Sequence, residues 1–375
     1  KILPPFLAKL IGPLLRRKSL KYSDQTTLSV LQSLTDNKKL ISVLTTQYGD
    51  YGLPPSQSSF YMHAMLASHY MDGGGYPVGG AGSIARTIVP VIEKSGGEVL
   101  FSAEVQQIIV QDNRAIGVEM ADGKQIHADC VISDAGVRNT FTRLLPQEVI
   151  KQHGFKELLK GLEPAAAHIG MYLGLNGTSE ELKLPRCNYW VFPAEYDHEL
   201  NQKRYTDINS DLPVAYISFP SAKDPDWAKT HPGKSTAEIV IIVPFEWFSK
   251  WENTAWKKRG EDYELLKQNV AKQMLETLYR VEPQLQGRVD YFDVSTPLST
   301  KHFSNHQRGE IYGIAHSPKR FRQDFLKPRT PVNNLFLTGQ DVLTAGIAGG
   351  LMGGVLCASV VLKRNVMQTI QRAIK

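Results

Sequence analysis

The stretch Asn334-Leu335-Phe336-Leu337-Thr338-Gly339-Gln340-Asp341 decides the fold. Its apolar centre predicts a short buried strand, and its Gly-x-Asp ending puts a carboxylate at the carboxyl end of that strand. In α/β folds, ligands bind at the carboxyl ends of parallel strands. A glycine-rich turn, Ala345-Gly346-Ile347-Ala348-Gly349-Gly350, follows and leads into a predicted helix over Leu351–Leu362. This order predicts the last part of an α/β ligand-binding unit.

The same segment offers two kinds of contact to a ligand. Asp341 can accept hydrogen bonds from hydroxyl groups, and the turn at residues 346–349 leaves backbone N–H groups free at a helix N-terminus. Such N–H groups suit an electron-rich ring edge, for example the pyrimidine edge of a flavin. Glycines four residues apart within residues 349–354 leave one helix face bare, which suits either a flat cofactor or simple close packing.

Residues 84–133 have the order helix, strand, meander and strand. Ile84–Lys94 has a helical pattern, and short strands are predicted at Val105–Val110, Ala115–Met120 and Gln125–Ser133. Asp122-Gly123 predicts a hairpin turn. The last strand ends in Ser133-Asp134-Ala135-Gly136, a small-residue turn. This order is what remains after the first half of a flavin-type Rossmann unit.

One glycine motif is interpreted differently. Gly80-Ala81-Gly82-Ser83-Ile84-Ala85 fits the dinucleotide pattern G-x-G-x-x-A, with Glu104 about where a ribose-binding acid would fall. The preceding Gly73-Gly74-Gly75-Tyr76-Pro77 cannot form a central strand. We therefore predict a turn that caps a helix rather than a primary dinucleotide site.

The middle of the chain, about residues 146–331, is rich in aromatic residues and differs in composition from the segments on either side. Strand-like runs at His168–Leu175, Val214–Phe219 and Ala237–Val243 accompany an amphipathic helix at Glu261–Tyr279. We predict a mixed domain of sheet and helix. Its aromatic side chains either form an ordinary core or line a long apolar pocket.

Composition excludes several classes of function. The 375 residues are 42% hydrophobic and 21% charged, which is typical of globular domains. The net charge of +6 is spread along the chain, apart from Arg16-Arg17-Lys18 and Lys257-Lys258-Arg259, so nucleic-acid binding is not expected. The three cysteines form no CxxC pair, and His302/His306 lack the glutamate of HExxH, so no metal site is expected.

The beginning of the chain allows two interpretations of membrane contact. No apolar stretch reaches the roughly 18 residues that span a bilayer. Ile2–Leu15, followed by a basic run, is either a core or domain-interface helix or a helix lying on a membrane surface. The chain starts at Lys1 without a signal-peptide pattern, and we expect it to be the remainder of a longer chain.

Several motifs together resemble a known family. Tyr76-Pro77-x-Gly79-Gly80, Ser133–Gly136 and Gly339-x-Asp341 with its following glycine turn are similar to the flavin enzymes related to phytoene desaturases and carotenoid isomerases. Within that group, residues 219–225, 258–263 and 337–341 with 356–359 resemble the branch that saturates a retinol double bond. The likeness runs from near Leu3 to Asn365, nearly the whole chain.

The resemblance implies FAD as the cofactor and assigns positions to it. Val105 would contact adenine through its backbone, and Asp134 and Ala135 would lie along the adenosine or ribityl part. Asp341 would bind the ribityl or pyrophosphate region. The residues implied at the cofactor are Gly79, Gly80, Val105, Asp134, Ala135, Gly339, Asp341, Ile347, Ala348 and Gly349. The last three would present N–H groups to the isoalloxazine, and the first two would let backbone approach it.

The resemblance also implies a division of the chain. Residues 1–71 would be a helical part of the substrate domain, and residues 72–145 the first part of the FAD-binding domain. Residues 146–330 would form an inserted α+β substrate domain, and residues 331–375 the end of the Rossmann-like, α/β FAD-binding domain. The opening strand, G-x-G-x-x-G turn and ribose-binding acid of such enzymes are missing. We therefore expect this chain not to hold FAD tightly alone.

The implied activity is saturation of the 13,14 double bond of all-trans-retinol, an apolar polyene, with NAD(P) as one source of electrons. Members of that branch are associated with endoplasmic-reticulum membranes in animals. A carotenoid isomerase or desaturase and a non-catalytic lipid-binding remnant remain alternatives. Saturation needs a hydride and a proton. The candidate proton donors are Tyr51, His63, Tyr76 and His302, and their spacing does not select one.

Overall fold

The computed structural model describes residues 17–205, 207–208 and 210–374, so the predicted helix at Ile2–Leu15 lies outside the described residues. In chain order the helices are α1 Arg17–Ser23, α2 Thr27–Gln32, α3 Lys38–Leu44, α4 Phe60–Met71, α5 Gly82–Lys94, α6 Val137–Asn139, α7 Gln147–Gln152, α8 Phe155–Leu158, α9 His198–Arg204, α10 Pro220–Lys223, α11 Trp227–Thr230, α12 Glu261–Val281, α13 Pro297–Ser304, α14 Pro318–Phe321, α15 Gly346–Val361 and α16 Val366–Ile374. The strands are β1 Val105–Gln111, β2 Arg114–Met120, β3 Gln125–His127, β4 Val131–Ser133, β5 Ala167–Asn176, β6 Tyr189–Val191, β7 Ala215–Ser218, β8 Lys234–Val243, β9 Val289–Ser295 and β10 Leu335–Leu337.

The aromatic middle of the chain is built on a five-stranded antiparallel sheet with the order β6-β7-β8-β5-β9. Side chains alternate strictly along β8, where Ala237, Ile239 and Ile241 are buried on one face. Helix α12 covers that face with Val270 and Met274, which belong to the same hydrophobic cluster. The even-numbered residues of β5 and β8 therefore point to the opposite face, which carries the site described below.

The predicted meander is present as the antiparallel sheet β1-β2-β3. Its Asp122-Gly123 turn is also present, with Gly123 at φ 85°, where glycine is favoured. The single strand predicted over Gln125–Ser133 is wrong. The chain divides there because β3 pairs with β2, whereas β4 leaves that sheet to pair elsewhere.

Strand β4 pairs in parallel with β10, with Val131 opposite Leu335 and Ser133 opposite Leu337. The pairing brings the carboxyl ends of both strands, followed by Asp134 and Asp341, to one place. A second hydrophobic cluster, including Phe141 and Leu335, packs beneath them. The boundaries of the predicted domain division stay a prediction.

Helix α15 begins earlier than predicted. It starts at Gly346 rather than Leu351, so the glycines predicted as a turn form its first turn instead. The glycines permit this because they allow close approach. A Cβ at Gly349 would overlap the carbonyl oxygen of Thr344, and one at Gly353 would lie 2.5 Å from that of Gly339.

Candidate functional site

Asp341 is buried in the segment that follows the carboxyl end of β10. Its side chain accepts hydrogen bonds from the Val137 N–H at 2.8 Å and the Ile314 N–H at 2.9 Å, one on each carboxylate oxygen. The Arg320 guanidinium lies 3.8 Å from it, and Asp341 is only 6% exposed. The carboxylate thus holds three chain segments together, and its role at a cofactor stays a prediction.

The sequence analysis missed Arg320 and His316, which complete this cluster. Arg320 is buried and donates to the carbonyl oxygens of Ile314, Gln340, Asp341 and Leu343. Burial lowers the pKa of Arg320 to about 10, although Asp341 opposes the shift. An arginine in the run Pro318-Lys319-Arg320 has no sequence signal that separates it from a surface arginine.

His316 holds the residue that precedes helix α15. Its Nε2 accepts a hydrogen bond from the Ala345 N–H at 2.9 Å, and the ring is fully buried. Burial and the nearby Arg320 hold the pKa of His316 well below its usual value, so the ring is neutral. Arg320, His316 and Asp341 together fix the loop from which α15 begins. We call these three residues the buried hub.

Gly339 and Asp134 meet at the ends of the paired strands. Gly339 has φ 81°, and a Cβ there would overlap the carboxylate of Asp134. Burial, followed by the charge of Asp341, raises the pKa of Asp134, and His306 opposes this. The structure therefore brings together Asp134, Gly339 and Asp341, and their contact with a cofactor stays a prediction.

Val105 and Ala135 line one cavity of about 750 Å³. Glu104, Arg143 and His302 line it too, so hydrogen-bonding groups of both charges accompany apolar wall. Apolar wall with a few hydrogen-bonding groups is typical of small-molecule sites, and binding of adenosine here stays a prediction. His302 also stacks on Trp256 at 4.6 Å, which places this candidate proton donor at the predicted adenine end.

The start of α15 offers free N–H groups beside open space. Ala345 precedes the helix and provides no side-chain cap, and Ile347 is 64% exposed. Gly350 and Gly354 would have nothing within 4 Å of an added Cβ. This bare face has room for the flat ring that the sequence predicts there, and the cavity at Val105 and Ala135 has room for a further part of the cofactor. In FAD the residues at 347–349 would hold the isoalloxazine and those at 105 and 135 the adenosine.

The predicted glycine loop lies against a different element. The Gly79 N–H donates to Asp224 Oδ1 at 3.0 Å, and the ring of Tyr76 lies 5.5 Å from Lys223 Nζ. Gly79 and Gly80 have φ values of 80° and 74°. Within the described chain, no hydrogen bond joins this loop to residues 339–349. Its contact with a flavin stays a prediction.

His63 lies in a packed core. It is 9% exposed, and its Nδ1 lies 3.3 Å from the hydroxyl of Tyr51, which is fully buried. Burial lowers the pKa of His63. The structure therefore separates the candidate donors: His63 and Tyr51 in this core, Tyr76 beside Lys223, and His302 beside Trp256.

A second cavity, of about 300 Å³, lies on the open face of the five-stranded sheet. We call it the sheet cavity. The residues that line it are Gly49, Asp50, His168, Tyr172, Trp190, Val214, Tyr216, Glu238, Val240, Ile242, Ile311 and Tyr312. The sequence assigned none of them to a site individually, although it allowed for an apolar pocket lined by aromatic side chains of residues 146–331. A signal existed for Glu238, a carboxylate at a half-buried position inside an apolar strand.

Burial shifts the titration of the polar groups in the sheet cavity. It raises the pKa of Asp50 to about 6, and a hydrogen bond from Tyr70 opposes the shift. Burial also raises the pKa of Glu238, and the positive charge of Lys223 opposes that shift. Burial lowers the pKa of His168 to about 4. Perturbed groups in an apolar cavity are typical of a functional site.

The described residues contain neither a cluster suited to a metal ion nor a single helix suited to span a membrane. Among the described residues, no group of three or more His, Cys, Asp or Glu side chains could hold a metal ion. Likewise, no single described helix has the length and apolar character to cross a membrane. The bent pair α15 and α16 meets those limits only when both helices are counted together.

Residues 42–362 match the family described as flavin containing amine oxidoreductase, and the chain belongs to that family. It is 38% identical over 360 residues to an all-trans-retinol 13,14-reductase of Danio rerio, covering 92% of this chain and 59% of that protein. It is 35% identical to an inactive all-trans-retinol 13,14-reductase of the same organism, covering 97% of this chain and 60% of that one. The chain therefore spans about three fifths of these relatives.

The fold has solved counterparts. An oxidoreductase from Methanosarcina mazei superposes with a TM-score of 0.58 at 18% identity, covering 91% of this chain and 68% of that one. At that identity the likeness concerns the fold alone. With the family match, it confirms the predicted α/β, Rossmann-like class.

Proposed function

We propose that the complete protein is an FAD-dependent oxidoreductase that saturates the 13,14 double bond of all-trans-retinol. The observation that carries the proposal is the identity with a named reductase, which extends over 92% of this chain. The sheet cavity supports it, because Trp190, Val240 and Ile242 offer an apolar wall with a few polar groups.

In this proposal, FAD supplies the hydride that reduces the C=C bond. The chain's own residues do the rest. The buried hub fixes the loop before α15, so the free N–H groups at Ile347 and Ala348 keep a constant position. The apolar wall of the sheet cavity holds the polyene and excludes water. Tyr216, whose pKa burial raises, retains a proton there for the second carbon.

The direct test is the mass of the product. The full-length holoprotein, reduced chemically without oxygen, is incubated with all-trans-retinol, and the product is analysed by mass spectrometry and absorbance. A gain of two hydrogens with a blue-shifted spectrum supports the proposal. Unchanged retinol from protein with demonstrated bound flavin contradicts it.

Two alternatives give different results in the same assay. A carotenoid isomerase or desaturase would leave the hydrogen count of its polyene unchanged or lower it. A non-catalytic lipid-binding protein would bind retinol and release it unchanged. The existence of an inactive relative at 35% identity makes this second alternative a specific candidate.

The electron source and the location belong to the same proposal. We propose NAD(P)H as a source of electrons and an endoplasmic-reticulum membrane as the place of action, because retinol partitions into lipid. Anaerobic bleaching of the flavin on adding NADPH tests the first. Fractionation of cells that express the full-length chain tests the second, and recovery away from that membrane would contradict it.

A further inference from the structure

The sheet cavity has chemically different sides. Trp190, Val240 and Ile242 form apolar wall, whereas Asp50 and Tyr312 are polar groups on elements packed over the sheet. A hydrocarbon would leave these polar groups without partners, which is costly in a desolvated site. The lining therefore suits an apolar ligand that carries one hydrogen-bonding group.

Asp50 is the polar group with the most unused capacity. Its Oδ2 accepts a hydrogen bond from the Tyr70 hydroxyl at 3.3 Å. In the part of the chain that the structure describes, Asp50 forms no ion pair, and its Oδ1 accepts no hydrogen bond. Its neighbours at the cavity are phenols and a histidine rather than a cation.

Glu238, the other carboxyl of the cavity, is in a different situation. The positive charge of Lys223 favours its ionised form. The Lys223 ammonium also donates to Ser218 at 2.7 Å, which ties it to the same end of the sheet. Glu238 therefore already has a cation nearby, and Asp50 does not.

We infer that Asp50 accepts a hydrogen bond from the hydroxyl group of a polyene alcohol, and so selects alcohols over hydrocarbon polyenes or ethers. The inference rests on the proposed function and names the ligand group that its site recognises. A hydrogen bond to a charged acceptor in a desolvated site is strong enough for at least about tenfold discrimination.

The inference has a pH dependence. The carboxylate of Asp50 accepts best when ionised, so alcohol affinity rises as the pH increases through its pKa of about 6. The titratable groups that face it are Tyr51, Tyr70, His168, Tyr216, Glu238 and Tyr312. The tyrosines keep their protons across this range, since burial raises their pKa values, and His168 titrates lower, near 4. The contribution of Glu238 to the pH dependence is measured separately with the variant Glu238→Gln.

Trp190 provides a readout that does not depend on turnover. Retinoids absorb where tryptophan emits, so a polyene in the sheet cavity quenches Trp190 by energy transfer. The full-length holoprotein, with its flavin oxidised, is titrated with all-trans-retinol and with retinyl methyl ether. Trp190→Phe should remove a larger part of the quenching than Trp227→Phe, which alters a tryptophan stacked on His231.

We expect wild-type protein to bind retinol at least tenfold more tightly than the ether at pH 8, with the preference falling towards pH 5. Asp50→Asn should reduce the preference to about twofold or less and remove its pH dependence, without weakening ether binding. Glu238→Gln and the surface variant Asp290→Asn should keep the preference.

The outcomes separate this inference from the proposed function. Equal affinity of wild-type protein for alcohol and ether, or an unchanged preference in Asp50→Asn, overturns the inference while leaving the reductase proposal standing. An equal loss of quenching in Trp190→Phe and Trp227→Phe also overturns it, because the ligand then lies no nearer to Trp190 than to Trp227. Binding of neither compound, with no reduced product, overturns both.

Discussion

Asp341 and Asp50 are two carboxylates that the fold treats in opposite ways. Asp341, at the buried hub, has a backbone N–H on each oxygen and Arg320 nearby. Asp50, at the sheet cavity, has one tyrosine hydroxyl and a pKa that burial raises to about 6. The comparison teaches that a satisfied carboxylate holds a site in place, whereas an unsatisfied one is available to a ligand.

The largest expected effect is the loss of the hub carboxylate. Asp341→Ala leaves the buried Arg320 charge without its counter-ion and two buried N–H groups without acceptors, and should lower the free energy of unfolding by about 3–5 kcal/mol. Equilibrium urea denaturation measures this. Asp290→Ala is the control, since its ion pair with Lys234 is about half exposed and is worth less than about 1 kcal/mol. Equal effects of the two variants would contradict the role of the hub.

The next effect tests the close approach between the two strand ends. Gly339→Ala places a methyl group against Asp134 at a φ of 81°, and should cost about 2–4 kcal/mol of stability. Gly123→Ala is a matched control at φ 85° with open space around it. Thermal melting should show a clearly larger loss for Gly339→Ala, and similar losses would mean that backbone strain alone explains the effect.

Replacing Asp50 should raise the free energy of unfolding at high pH, whereas the two preceding substitutions lower it. Its pKa is raised from 3.8 to about 6, so the folded protein binds the proton more tightly and loses stability as the pH rises through that window. Asp50→Asn removes this penalty and should raise the free energy of unfolding by about 1–3 kcal/mol at pH 8, with little gain at pH 4. Denaturation at both pH values checks it, and a pH-independent gain would argue against burial as the cause.

The smallest effect concerns the loop of Gly79. Asp224→Ala removes the acceptor for the Gly79 N–H and should cost about 1–2 kcal/mol, with faster proteolysis within residues 73–80. Asp226→Ala, which loses an exposed contact with Lys229, should leave both properties nearly unchanged. An unaltered cleavage rate in Asp224→Ala would show that this loop is held by other contacts.

The sequence predicted the end of strand β10 better than it predicted the sheet cavity. The parallel pairing of β4 with β10, which brings Asp134, Gly339 and Asp341 together, was not predicted. The carboxylate at the end of β10 was predicted, because residues 334–341 combine a strand pattern with a Gly-x-Asp ending. Those are local signals that a single strand carries. The bounds of α15 did not follow, since glycines in a helix's first turn look like a loop in sequence.

The sheet cavity could not be predicted, because distant segments build it. Asp50 comes from a turn after α3, Glu238 from β8 and Tyr312 from a loop before α14. Only tertiary packing brings these residues together, and only burial changes their pKa values. Arg320 and His316 were missed for the same reason, since their partners are backbone atoms far along the chain.

The central claim is that Asp341 stabilises the fold whereas Asp50 is left available to a ligand. One measurement on matched amide variants tests it most directly. The free energy of unfolding at pH 8 is determined for wild type, Asp341→Asn and Asp50→Asn in the full-length protein. We predict opposite signs. Asp341→Asn should destabilise, because an amide NH2 group then faces a backbone N–H, and Asp50→Asn should stabilise. Changes of the same sign in both variants would contradict the account.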